Sequence, residues 1–271
     1  MVADTERIYT GGWRRLVNGA ASTTGSIHDD AVARSLGFAG GFVPGSTVGQ
    51  AAMPAIVDRF GARWFEGGWY AFKFVSPVYT HEDVREVAEP GEDGQITIKV
   101  ENRAGRAACL GGAGLGLTPP WSTTPADEPE GEPVLPELEL GRTYEMDFTT
   151  TRADVIAMLD AAGDETPWYV DASPWGGPIM PPERLMGVAL QQTLIARNTP
   201  PSVRPPGIWA EHALVIERPL LLDAPYRMVQ RIVEKGRSGR TTFLSYDLDI
   251  RDANGARVAL GRHKVKWLAQ A

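Results

Sequence analysis

Cysteine is almost absent: Cys109 is alone among 271 residues, so an internal disulfide is excluded. Set among small apolar residues, its thiol reads as buried and inert rather than reactive. Basic charge is also short, with 27 Lys and Arg against 34 Asp and Glu, a net charge of −7 and no basic stripe. A nucleic-acid partner is therefore not expected. No run approaches the ~18 apolar residues that a membrane span needs, and the opening Met1-Val2-Ala3-Asp4-Thr5-Glu6-Arg7 is polar. No membrane partner is expected, and the location expected is cytoplasmic. With 43% hydrophobic and 23% charged residues, the chain has an ordinary globular composition.

What is present begins with Ser26-Ile27-His28-Asp29-Asp30, which puts a histidine and two carboxylates ahead of a short amphipathic stretch, Ala31, Val32 and Leu36. Asp29 or Asp30 can cap that helix, and Gly37 stops it. The glycine-rich loop Phe38 to Gly45 follows. A longer helix is expected from Ser46 or Thr47 to Phe60, bent or broken at Pro54. Then the period changes to two: Trp69 to Val75, Val84 to Ala88, Gln95 to Asn102 and Ala107 to Leu117 read as strands. Ile8 to Val17 fits a strand or an irregular lead-in.

Thr118 to Pro136 carries six prolines among Ser, Thr, Asp and Glu, a composition that suits an exposed linker. Beyond it the order repeats. Thr143 to Thr149 reads as a strand, Thr151 to Ala162 as a helix, and Ser173-Pro174-Trp175-Gly176-Gly177-Pro178 as a second glycine-rich loop. A second long helix is expected over Glu183 to Arg197. Strands are expected near Ile208–Pro219, Tyr226–Lys235, Arg240–Asp249 and Arg257–Trp267, with turns at Gly236–Gly239 and Asn254-Gly255. Each half reads as loop, long helix and antiparallel strands, which is an internal duplication. The division expected is 1–117, a linker over 118–136, and 137–271. A helix followed by several strands buries its apolar face most economically inside a strongly curved sheet, with the two halves joined edge to edge.

The two loops and their flanking residues resemble the approach to the central helix in MaoC-like hot-dog proteins, the superfamily of the (R)-specific enoyl-CoA hydratases. Its signature, Asp-x-Asn-Pro-x-His-x-Asp, is divided here between the halves. His28 matches the catalytic histidine and Asp30 the aspartate after it, while Thr23 stands at the upstream catalytic aspartate. The second copy keeps that aspartate as Asp164, the proline as Pro167 and the last aspartate as Asp171, but carries Tyr169 at the histidine position. The resemblance implies an α+β double hot-dog with a divergent motif, and a possible homodimer of such units.

In the reaction that the resemblance implies, a histidine and an aspartate hold water and move a proton beside an acyl thioester carbonyl. The residues expected to carry chemistry are His28, Asp30, Tyr169 and Asp164. Gly41, Gly45, Trp168, Trp175 and Gly177 are expected to contact substrate. Helix capping alone would explain Asp30, turn geometry would explain Asp164 and the glycines, and a pocket wall would explain Tyr169. His81, His212 and His263 occur singly, without metal-ligand spacing, and read as surface or strand residues. Neither a cofactor nor a metal is expected. The activity expected is that of a hydratase or dehydratase lyase on a CoA or carrier-protein thioester, or on a related small biosynthetic substrate. Thioester hydrolysis, isomerisation, cyclisation and non-catalytic acyl binding in the same pocket are the alternatives.

Overall fold

The fold is described from a computed structural model, in which residues 7–122, 135–136, 138–191, 206–239 and 241–268 are placed. Most of the proline-rich linker, including 123–134, lies outside the described residues, as do residues 192–197 of the second long helix. No helix among the described residues is long and apolar enough to cross a membrane.

The first half contains β1 (Tyr9–Thr10), β2 (Arg14–Arg15), α1 (Asp30–Ser35), α2 (Gly45–Gln50), α3 (Met53–Phe60), β3 (Gly68–Phe74), β4 (Asp83–Pro90), β5 (Ile96–Asn102) and β6 (Ala107–Leu115). The second contains β7 (Thr143–Thr149), α4 (Arg152–Ala162), α5 (Pro182–Gln191), β8 (Gly207–Ile216), β9 (Pro225–Ser238), β10 (Thr241–Asp252) and β11 (Arg257–Leu268). The strands form one antiparallel sheet in the order β1-β4-β5-β6-β3-β8-β11-β10-β9-β7, with β2 also on β4. The halves meet where β3 pairs with β8, from Gly68 opposite Ile216 to Lys73 opposite Glu211. The edge-to-edge joining expected from the duplication is therefore a continuous ladder.

The duplication is visible in three dimensions. In the first half Phe42 bridges Tyr79, and the Val43 N–H donates to the Val78 carbonyl at 2.8 Å. In the second, Ile179 bridges Leu221, and the Met180 N–H donates to the Leu220 carbonyl at 2.7 Å. Each glycine-rich loop is thus clipped by an isolated bridge to a connecting segment just before its helix begins. The helices α2 and α5 then pack on each other inside the sheet. Gly49 permits that approach, because a Cβ there would lie 2.6 Å from the Glu183 carboxylate carbon.

Three local expectations change. The long helix after Gly45 is two helices, with Ala51 and Ala52 between them; Pro54 occupies the first turn of α3, where its missing N–H costs no hydrogen bond. Ile8 to Val17 resolves into two short strands, β1 and β2, both on β4. Gly236 lies within β9 rather than in a turn, its missing side chain making room for the Phe243 ring across the hairpin.

One apolar core runs through both halves. Trp64 is fully buried in it, lies parallel to Tyr70 with ring centroids 6.0 Å apart, and donates from Nε1 to the Trp69 carbonyl. Such a side chain supports the sheet by volume, since a cavity left in a dense interior is only partly closed by relaxation. Trp64→Ala is expected to cost about 3–5 kcal/mol of folding stability. Urea unfolding measures it, and a loss too small to detect would show that the core does not depend on this ring.

Candidate functional site

His28 is the centre of a tightly specified loop. Its backbone N–H donates to Ser26 Oγ at 3.2 Å, and its carbonyl accepts from Asn18 Nδ2 at 2.9 Å. Ring atom Nδ1 lies 2.7 Å from the Phe42 carbonyl oxygen. A carbonyl only accepts, so Nδ1 carries the hydrogen and Nε2 is left with its lone pair. Burial pushes the His28 pKa below its usual value, partly offset by that backbone bond. The ring is thereby kept as a neutral base.

The two aspartates after it have local tasks. Asp29 caps α1, its Oδ1 accepting from the Ala31 and Val32 N–H groups at 2.9 and 3.0 Å. Asp30 Oδ1 accepts from the Gly41 N–H, and Oδ2 from Arg34, both at 2.8 Å. These two partners hold the Asp30 carboxyl below its usual range, the Gly41 bond more than the Arg34 charge. With a side chain 64% exposed and both oxygens engaged, Asp30 ties the loop together, and its hydrogen bonds do not go to the imidazole. Gly41 is required here, because any Cβ would collide with the His28 carbonyl.

His28 and Gly45 line one cavity of about 180 Å³. The rest of its lining is largely apolar, including Ile27, Phe42, Val48, Phe74, Val78 and Trp209. Ser76 also lines it, but its hydroxyl donates to the Ala107 carbonyl. Phe74 comes from the first half and Trp209 from the second, so the wall depends on the β3–β8 seam.

The other expected residues lie elsewhere. Asp164 is buried and accepts from Gln50 Nε2 at 2.6 Å and from the Thr166 N–H at 2.9 Å. Tyr169 is fully buried beside this pair; burial first, and then the charge of Asp164, drives its hydroxyl pKa well above the usual value. Trp168 and Trp175 pack edge to face on Phe65, at centroid distances of 5.8 and 5.6 Å, and Trp175 Nε1 donates to Glu66. Gly177 closes the second loop by accepting the Ser173 hydroxyl. The structure thus brings His28, Gly41 and Gly45 to one loop, and Asp164, Tyr169 and the tryptophans to the corresponding part of the other half.

Sequence reasoning missed a third group. Glu183, in the first turn of α5, receives a 2.8 Å hydrogen bond from His212 Nε2, and both side chains are completely buried. His212 faces His263 across the β8–β11 ladder, the rings nearly parallel at 5.9 Å, and Tyr70 packs edge-on to His212. Glu183 looks like an acid at a helix start, and the histidines are 51 positions apart in the chain. Only alternation in β8 and β11, which turns both side chains inward, carried a signal.

No family model matches the chain, and no curated protein matches it. Solved structures match it over nearly its full length. A Chloroflexus aurantiacus protein named as a MaoC domain dehydratase superposes with a TM-score of 0.66 at 12% identity, over 98% of this chain and 96% of that one. A conserved hypothetical protein of Mycobacterium tuberculosis with a double hotdog fold gives 0.63 at 12% identity, over 97% and 96%. A Novosphingobium aromaticivorans protein named as a thioesterase gives 0.52 at 14% identity, over 99% and 97%. The likeness shows the fold: this chain is a double hot-dog, the architecture also found in proteins named as MaoC-like dehydratases and thioesterases.

Burial of His263 makes stability depend on pH. Burial, and then the neighbouring His212, holds the His263 pKa well below its ordinary 6.5. Below pH 6.5 the His263 position takes up a proton in the unfolded chain that the folded chain refuses, so stability falls with falling pH, by up to about 1.4 kcal/mol per pH unit. The loss ends only below the folded-state pKa. Denaturant midpoints between pH 7.5 and 5 are expected to fall, and less steeply in His263→Phe. Equal slopes for the two proteins would remove His263 from this account.

Proposed function

We propose that the protein is a hydratase or dehydratase acting on a short acyl thioester, with His28 as its acid/base group. The observation that carries this reading is the anchoring of Nδ1 on the Phe42 carbonyl, which leaves a neutral Nε2 on a residue lining an apolar cavity. At about 180 Å³ the cavity exceeds the ~150 Å³ that admits benzene, so it suits a short acyl group. Neighbours in fold that are named as dehydratases support the same reading.

One base is enough for the proton balance. In hydration, Nε2 takes a proton from water as the water oxygen bonds to the β-carbon of the enoyl group. The electron pair moves to the α-carbon and the thioester carbonyl. The imidazolium then returns its proton to the α-carbon, leaving a 3-hydroxyacyl thioester and a neutral histidine. Dehydration is the reverse. The lowered His28 pKa serves this cycle, since the ring starts as a base at neutral pH. Asp30 supports it by holding Gly41 against the His28 backbone. Asp164, Tyr169, Trp168 and Trp175 join the second half to the first, Gly177 closes its loop, and the proposed steps do not call on them.

Crotonyl-CoA is expected to lose its enoyl absorbance on incubation with the protein. His28→Ala should reduce kcat by about a hundredfold to ten-thousandfold, the usual worth of a positioned acid/base group. Activity should hold through neutral pH and decline only on the acid side of about 6.5, as Nε2 becomes protonated. Binding of crotonyl-CoA without turnover would overturn the catalytic reading in favour of an acyl-binding protein. Unchanged turnover in His28→Ala would remove His28 from the mechanism.

A further inference from the structure

Trp209 stands between the cavity and the buried polar cluster. It lines the cavity, and its indole is held from several sides. Against α2 it sits over Gly45, where a Cβ would lie 2.9 Å from Trp209 Cε3. On the interior side it meets His263 edge to face at 4.6 Å and His212 at 5.4 Å. Phe74 flanks it at 6.4 Å and also touches His212, at 5.1 Å. His212 and His263 are themselves buried, so the indole is the last side chain between the cavity and the interior at this point.

This placement sets a length. An apolar group in the cavity has Ile27, Phe42, Val48 and Val78 around it, and the indole lies between it and the buried histidines. Trp209 cannot move toward α2 while Gly45 lies against its ring. Nor can it move inward without disturbing His212, which is hydrogen-bonded to Glu183. The indole is thus confined on both sides, and a chain long enough to reach it meets a steric clash, which is a source of specificity. Removing the indole would extend the space toward the two histidines, whose rings would then form the new floor.

We propose that Trp209 is a specificity-determining residue that sets how long an apolar chain the His28 cavity accepts. That the chain is an acyl thioester rests on the functional reading above; the steric role of Trp209 does not. Two ligand series separate them: the saturated thioesters butyryl-CoA, octanoyl-CoA and dodecanoyl-CoA, which cannot be hydrated, and benzene against butylbenzene, which carry no thioester.

Calorimetric titration of the wild type is expected to favour butyryl-CoA over dodecanoyl-CoA. Trp209→Ala should shift that ratio at least tenfold toward the longer chain, with Trp209→Phe in between. Benzene and butylbenzene should shift in the same direction. If no thioester binds but the hydrocarbon preference shifts in Trp209→Ala, the specificity role stands and the thioester reading falls. If both variants keep the wild-type ratio in each series, or lose affinity equally for short and long ligands, the role of Trp209 is overturned. Trp209→Phe retains an aromatic ring between Gly45 and the histidines, so it keeps the test open should the alanine variant fail to fold.

Discussion

The antiparallel pairing of β3 with β8 is the constraint on which the rest of the molecule depends. It converts two short curved sheets into one, removing an exposed edge from each half. It also sets a register in which Phe72 lies opposite His212, and that register carries Phe74 and Trp209 to the two sides of one cavity. A slip of a single residue would reverse the faces of every side chain in the seam. The glycines and small residues of β6, on the other side of β3, let the aromatic residues of β3 lie close to the sheet.

The two halves have the same plan and different interiors. Each has a glycine-rich loop clipped by a β-bridge before its central helix. In the first half His28 is fixed by backbone bonds at the edge of a cavity. In the second half Tyr169 is buried against Phe65, near the Gln50–Asp164 hydrogen bond. That bond joins α2 of the first half to the turn after α4 of the second. The buried Asp164 carboxylate thus forms a hydrogen bond between the halves.

Asp30 shows how one local pattern supports two readings. The spacing His28-Asp29-Asp30 suits either an oriented base or a capped helix, and the structure assigns capping to Asp29 and loop closure to Asp30. Orientation of the imidazole comes from the Phe42 carbonyl, a backbone atom 14 residues away. Any residue at position 42 has a carbonyl, so side-chain chemistry could not have revealed that partner.

By itself the sequence determined most of the elements and their repeated order, because hydrophobic period, caps and turn residues act over a few neighbours. The Thr151–Asp154 capping box, the Asp29 cap and the Asn254-Gly255 hairpin turn are of this kind. Local pattern also located His28, Gly41 and Gly45 in one loop. Only the tertiary structure decided what surrounds them. The wall made by Phe74 and Trp209, the Glu183–His212 pair and the His212–His263 stack all require strands from distant parts of the chain to lie side by side. Their register is set by the burial of whole faces of the sheet, a collective quantity that no single residue's neighbours in sequence encode.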